Sequence, residues 1–272
     1  MTTTPLTHTS QDSGVPESAR DFSVEEKVVV ITGAAQGIGR ELARQFAAAG
    51  AFAVVADLDL NKAESVVQEI RDAGGDGLAV KVNVADEPSV QAMVNTVVEK
   101  WGRIDVLINN ASIFATIEKG PFDQIPVAQW EQVLKVNVTG TYLCVRAVAA
   151  HMRKASFGRI INISSDSVTR GTVNYLHYVT SKSAVIGMTN SLARELGGFG
   201  ITVNCVRPGM VATEVDRKLT IEGRERVASQ QCIPRGMVPT DLVGVMFFLA
   251  TSASAFITGQ TIAVDGGYTH SS

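Results

Sequence analysis

The chain has 272 residues, 45% of them hydrophobic, enough to bury a substantial core in one large α/β domain or two small ones. Its 24 basic and 27 acidic side chains leave a formal charge of −3 with no basic block, which argues against nucleic acid or an anionic membrane surface as a partner. Three scattered cysteines, Cys144, Cys205 and Cys232, lack metal-ligand spacing, and no apolar run reaches the roughly 18 residues that span a bilayer, so the chain reads as a reduced, cytoplasmic protein.

The first 22 residues are rich in Thr, Ser, Pro and Asp and have no apolar stretch. They read as a disordered tail ahead of a single domain over residues 23–272. The basic start and hydrophobic middle of a secretory signal are missing, and Asp12, Glu17 and Asp21 weigh against a transit peptide.

From Lys27 short apolar runs alternate with segments of helical period. Val28-Val29-Val30-Ile31 predicts a buried strand, followed by a glycine turn and a helix with Ile38, Leu42 and Phe46 on one face. Ala53 to Ala56 predicts the second strand, and Ala63, Val66, Val67 and Ile70 the next helix. Leu78 to Val82 is the third strand. Val90, Met93, Val94, Val97, Val98 and Trp101 then form the clearest amphipathic stripe. Asp105–Ile108, Arg159–Ile163, Thr202–Val206 and Thr261–Val264 predict four more strands, with helices between them. Such alternation implies parallel pairing, hence one α/β domain with a doubly wound, Rossmann-type sheet of about seven strands and helices on both faces.

Two constellations carry chemistry. The first is Thr32-Gly33-Ala34-Ala35-Gln36-Gly37-Ile38-Gly39, a glycine turn between the first strand and the first helix. Free N–H groups and the helix dipole at such an entry suit a diphosphate, and glycine lets the ligand approach the backbone. Asp57 ends the second strand, where a carboxylate can accept from ribose hydroxyls and repel a 2′-phosphate. Gln36 brings no positive charge to hold that phosphate, so the pattern favours NAD over NADP. Asp59 is a rival for the ribose role, and Arg40 and Lys62 are the cations that could reverse the preference.

The second constellation is Tyr178 with Lys182, four residues later and so on the same helical face. A phenol ionises near pH 10, and a neighbouring ammonium stabilises its phenolate. The pair reads as a tunable proton donor and acceptor.

Taken in order, the glycine turn, Asn109-Asn110-Ala111, Asn137, Ser165, Tyr178 with Lys182, Pro208-Gly209, Ile257-Thr258-Gly259-Gln260 and Val264-Asp265-Gly266-Gly267 resemble the short-chain dehydrogenase/reductase family. The resemblance covers about Lys27 to Tyr268. It implies a catalytic tetrad of Asn137, Ser165, Tyr178 and Lys182. Ser164 competes with Ser165, and only the spacing to Tyr178 separates them. Cofactor contacts are implied at Gly33, Gln36, Gly37, Ile38 and Gly39 for the phosphates, and at Asp57, Leu58, Asn83 and Val84 around the adenosine. Asn110, Tyr178, Lys182, Pro208, Val211 and Thr213 would lie near the nicotinamide end. Two positions depart from the family pattern: Ser112 stands where glycine is usual, and Asn83 where an aspartate is common.

The resemblance implies reversible hydride transfer between NAD(H) and a secondary alcohol or ketone. Tyr178 would move the proton, Ser165 orient the reacting oxygen, Lys182 lower the phenol pKa and hold ribose hydroxyls, and Asn137 hold a relay water. The substrate pocket is expected from segments 112–122, 167–177 and 210–234. Phe114, Val173, Leu176 and Met210 there, mixed with Thr172, Asn174 and His177, suggest a moderately apolar aryl or cyclic substrate. His177 reads as packed more readily than as a substrate contact. Arg217, Lys218, Arg224 and Arg226, interspersed with Glu214, Asp216, Glu222 and Glu225, read as the outside of a helical lid. An NADPH-dependent 3-oxoacyl-thioester reductase and a silent NAD-binding sensor remain alternative readings. The family also implies a homo-oligomer, a tetramer above others.

Overall fold

The computed structural model describes residues 22–215 and 220–270. Nearly all of the expected tail, and Asp216, Arg217 and Lys218 of the expected lid, fall outside the described residues. Seven strands form one sheet: β1 (Val28–Thr32), β2 (Phe52–Asp57), β3 (Asp76–Lys81), β4 (Val106–Asn109), β5 (Gly158–Ile163), β6 (Ile201–Pro208) and β7 (Thr261–Val264). Their order is β3-β2-β1-β4-β5-β6-β7, with every pairing parallel. The expected strands are all present. The largest shifts are of two residues: the third starts early because Asp76 and Gly77 pair with Phe52 and Ala53, and the sixth ends late because Arg207 and Pro208 pair with Ala263 and Val264.

The helices are α1 (Gly37–Ala48), α2 (Leu60–Asp72), α3 (Glu87–Trp101), α4 (Val127–Leu134), α5 (Gly140–Ala155), α6 (Ser167–Arg170), α7 (Leu176–Leu196), α8 (Ile221–Ala228) and α9 (Val243–Ala250). They cover both faces of the sheet. In β1 all five residues are buried, but they alternate between two cores, as the period of a strand demands. Val29 and Ile31 pack with Leu42 and Phe46 of α1 and Val66 and Ile70 of α2. Val28 and Val30 pack with Val90, Met93 and Val94 of α3 and Leu143 and Val148 of α5. This is why the first strand reads as a continuous apolar run. Each fully buried Val, Leu or Phe is worth about 1.5–3 kcal/mol, so these two layers supply the main driving force for the fold.

Two local features prepare the site. α4 and α5 are joined through a π-helical stretch, Lys135–Thr139, so 127–155 runs as one helix with a widened turn around Asn137. The sheet order reverses between β1 and β4: the chain winds from β1 through β2 to β3 on one side, then places β4 on the other side of β1. The crevice at the carboxyl ends of the strands at such a switch point is where open α/β sheets take ligands.

Candidate active site

A cleft of about 890 Å³ opens along the carboxyl ends of the strands. One end is built on the glycine turn. Gly33 and Gly37 hold left-handed φ values of 64° and 58°, and a Cβ on Gly33 would lie 2.7 Å from the Ala111 Cα. The Asn110 amide ties the turn to β4 by donating to the Thr32 and Gly33 carbonyls at 2.9 Å each. Gly39 does not line the cleft. It sits behind the turn, where a Cβ would fall 2.8 Å from the Ala34 Cα and 2.6 Å from the Asn110 amide nitrogen. Gly39→Ala is therefore expected to lower the thermal midpoint by about 5 °C, from an overpacking cost of about 2 kcal/mol. Gly187→Ala on α7, where a Cβ meets open space, should leave it unchanged or slightly raised in the same thermal scan.

The helix N-terminus behind this turn is an anion site by construction. Gln36 makes no side-chain cap, and the Gly37 N–H instead donates to a carboxylate oxygen of Glu214 at 2.8 Å. An anionic oxygen thus already sits where a phosphate oxygen would be received. Gly33 and Gly37 both line the cleft, and the arrangement fits a dinucleotide lying along it.

Farther along the rim, Asp57 accepts from the Ala35 N–H at 3.0 Å and from the Asp59 N–H at 3.1 Å. Each carboxylate oxygen keeps a lone pair for a ligand hydroxyl. Its rival Asp59 instead caps α2, accepting from the Lys62 N–H at 3.2 Å and pairing with the Lys62 ammonium at 3.1 Å. Arg40 is drawn to Glu69 at 2.7 Å. Both cations that could favour a 2′-phosphate are therefore partnered. Lys81, which pairs in register with Asp57, is an exposed cation on this rim that the sequence reading passed over. Leu58, 64% exposed, together with Val84 and Asn83, completes this end. The Asn83 side-chain carbonyl already accepts from the Ala85 N–H at 3.1 Å.

The other end carries the Tyr–Lys pair. Tyr178 and Lys182 lie one turn apart on α7, both buried. Ser165, just beyond the end of β5, stands beside the Tyr178 phenol and lines the cleft with it. The two candidate serines part company here: the Ser164 hydroxyl donates to the Lys182 carbonyl at 2.8 Å, whereas the Ser165 hydroxyl faces the phenol and accepts from the Ser167 N–H at 3.2 Å. Burial pushes the phenol above its ordinary range, opposed by the Ser165 hydrogen bond and reinforced by the charge of Asp166.

The Lys182 ammonium donates to the Ile163 carbonyl at 2.9 Å and lies 5.7 Å from the Tyr178 ring centre. Burial in turn lowers the lysine to about 8. Both effects have one origin, the removal of water from a charged form.

Asn137 is buried behind the cleft and does not line it. Its side-chain carbonyl accepts from the Ile113 N–H at 2.8 Å, and its amide donates to Ser181 at 3.0 Å and to the Ile113 carbonyl at 3.3 Å. The side chain thus holds the Ile113 segment against α7.

Between these ends, Pro208, Met210, Val211 and Thr213 form one wall, after β6. Ile113 and Phe114 form part of the opposite wall, and the Ser112 hydroxyl turns back to the Ile113 carbonyl at 3.3 Å. Val173 and Leu176, expected in the pocket, are 80% and 43% exposed and lie outside it. His177 is fully buried, with Nε2 3.1 Å from the Gln129 amide nitrogen, and burial lowers its pKa; it packs α7 against α4. Tyr175 takes the place of the missing apolar residues. It stacks on Tyr178 at 4.7 Å and 25° and donates its hydroxyl to the Phe114 carbonyl at 3.0 Å. The available signal was its spacing, three residues before Tyr178 and so on the same face.

Known proteins match this arrangement. A family model described as enoyl-(acyl carrier protein) reductase matches residues 33–269. The chain is 36% identical to the (2S)-((R)-hydroxy(phenyl)methyl)succinyl-CoA dehydrogenase subunit BbsD of Thauera aromatica, covering 90% of this chain and 98% of that protein. It is 38% identical to the 3-oxoacyl-(acyl-carrier-protein) reductase FabG of Staphylococcus aureus, over 89% and 97%. A 7α-hydroxysteroid dehydrogenase solved with NADH and 7-oxoglycochenodeoxycholic acid superposes with a TM-score of 0.86 at 31% identity, over 90% and 95% of the two chains. A protein of Beutenbergia cavernae, described as an NAD(P)-dependent gluconate 5-dehydrogenase and solved with NADP at low occupancy, gives 0.84 at 34%, over 91% and 98%. The cleft at the switch point, the glycine turn at one end and the Tyr–Lys pair at the other therefore belong to an oxidoreductase, and the chain is a member of the short-chain dehydrogenase/reductase family.

Proposed function

We propose that this protein catalyses reversible hydride transfer between NAD(H) and a secondary alcohol or its ketone, with a moderately apolar aryl or cyclic substrate. The observation that carries the reading is Tyr178 with Ser165 beside it and Lys182 one turn away, at the opposite end of one cleft from the glycine turn.

The glycine turn and the Gly37 N–H would hold the diphosphate, Asp57 the adenosine ribose, and Lys182 the nicotinamide ribose. When bound, the nicotinamide ring supplies the hydride acceptor for oxidation and the donor for reduction. Ser165 orients the substrate oxygen by a hydrogen bond, and Tyr178 takes the hydroxyl proton in oxidation or returns it in reduction. Asn137 positions the Ile113 side of the pocket. The aromatic surface of Phe114, Tyr175 and Tyr178 favours a flat or cyclic apolar group next to the reacting carbon.

NAD is preferred in this reading because Asp57 faces the ribose end and both Arg40 and Lys62 are partnered. The two relatives frame the substrate question. One is named for a CoA thioester that carries a phenyl-substituted secondary alcohol, the other for a 3-oxoacyl thioester. We take the first as the better guide because the pocket is aromatic. Residues 23–272 would form the catalytic domain, with the preceding residues as a tail. The protein would work as a cytoplasmic homo-oligomer, a tetramer above others. Among the described residues no helix is long and apolar enough to cross a membrane.

The test is a set of initial rates, followed by nicotinamide absorbance. Aryl, cyclic, steroidal and sugar alcohols are offered with NAD⁺ and NADP⁺, and a 3-oxoacyl thioester with NADH and NADPH. The expected result is NAD⁺-dependent oxidation of an aryl or cyclic alcohol at least about ten times faster than any other pairing. Turnover confined to the thioester with NADPH would overturn both the substrate and the cofactor assignment.

A further inference from the structure

The Thr213–Val215 segment does more than line the cleft. It lies over the glycine turn: a Cβ on Gly37 would stand 3.2 Å from the Val215 side chain and 3.8 Å from that of Thr213. Glu214, between them, places a carboxylate oxygen 2.8 Å from the Gly37 N–H. That N–H opens the first turn of α1 and has no cap from its own N-cap residue. The backbone hydrogen bonds, together with the charge of Arg40, hold the Glu214 carboxyl below its usual range in spite of partial burial. It therefore stays ionised at neutral pH, as a fixed negative charge at the positive end of the helix.

Two negative groups cannot share this position. A dinucleotide diphosphate received by the glycine turn needs the same N–H and the same positive end of α1. We infer that Glu214 is an internal competitor of the cofactor phosphates, which sets dinucleotide affinity and couples cofactor arrival to withdrawal of the Thr213–Val215 segment. The inference rests on the reading that the glycine turn receives a diphosphate. Because residues 210–213 also wall the substrate end, the movement that frees Gly37 reshapes the pocket entrance. The penalty from Glu214 falls equally on NAD and NADP, since both carry the diphosphate, and leaves the choice between them to Asp57.

The experiment is equilibrium titration of the full chain with NAD⁺, NADP⁺, ADP-ribose and adenosine, by calorimetry or by quenching of intrinsic fluorescence. Wild type is compared with Glu214→Gln and Glu214→Ala. Glu222→Gln on α8 controls for loss of one charge from the same region. Removing a charge-assisted hydrogen bond that the ligand must displace should tighten NAD⁺, NADP⁺ and ADP-ribose by about ten-fold in both Glu214 variants. Adenosine, which has no phosphate, and the Glu222→Gln control should bind as in wild type. Wild-type affinity for ADP-ribose in both Glu214 variants, or weaker binding, would overturn the inference, because the carboxylate would then be neutral or helpful to the ligand. Equal tightening of adenosine would overturn it too, since the effect would not lie at the phosphates. Failure of wild type and variants alike to bind any dinucleotide would instead reject the underlying cofactor reading.

Discussion

Tyr178→Phe is expected to lower kcat in either direction by at least about a thousand-fold while the dissociation constant for NAD⁺ changes by less than about three-fold. The substitution removes one oxygen and leaves a ring of the same shape, so the stack on Tyr175 at 4.7 Å is kept. What is lost is the hydroxyl that this reading makes the proton donor and acceptor for the substrate oxygen. The pH dependence has a definite sign. Burial raises the phenol pKa, so its base form is scarce at neutral pH, and oxidation, which consumes that form, should accelerate as pH rises. Reduction draws on the protonated phenol and should stay flat over the same range. Steady-state rates from about pH 6 to pH 10, with stopped-flow binding of NAD⁺, check both statements. Near-normal turnover in the variant would move proton transfer to another group.

The second large effect concerns the cofactor. Asp57→Asn should shift the ratio of kcat/KM for NAD⁺ over NADP⁺ by about a hundred-fold toward NADP⁺. Two contributions of similar size combine, each about 1.4 kcal/mol and hence about ten-fold. One is the weaker hydrogen bonds from an amide to the ribose hydroxyls, the other the loss of charge repulsion toward a 2′-phosphate. Asparagine is chosen because the carboxylate also accepts from the Ala35 and Asp59 N–H groups, and the amide oxygen preserves one of these turn-fixing bonds. Lys81, exposed on the same rim, would then face the phosphate without an opposing charge beside it. An unchanged ratio would mean that Asp57 serves the turn alone. The fitting follow-up is Lys81→Ala, which in the double variant should return part of the preference to NAD⁺.

Much of this was readable in the linear chain because the determinants are local. A fully buried parallel strand needs apolar residues on both faces, so Val28 to Ile31 announced itself, as did the Val90-to-Trp101 stripe of α3. Tyr178 and Lys182 lie one turn apart on any helix that contains them both, and glycines at Gly33 and Gly37 meet left-handed backbone angles that other residues resist. These facts are set by periodicity and by single-residue conformational preference. They determined the sheet, the position of the cleft and the one-turn spacing of Tyr178 and Lys182.

Long-range contacts decided the rest. Nothing in the spacing of Ser164 and Ser165 says which hydroxyl turns toward α7; the packing of β5 on that helix sends one to the Lys182 carbonyl and the other to the phenol. Val173 and Leu176 are apolar and adjacent to the site in sequence, yet the path of the chain into α7 leaves them in solvent and turns Tyr175 inward. The Lys182 ammonium finds a carbonyl of β5 before it finds the phenol, which no four-residue spacing could reveal. Glu214 reaches Gly37 across 177 positions of chain. The sequence by itself determined which residues could do the chemistry, because propensity and period act over a few residues. Only the tertiary structure decided which of them meet, because hydrogen-bond partners and burial are properties of surfaces brought together by folding.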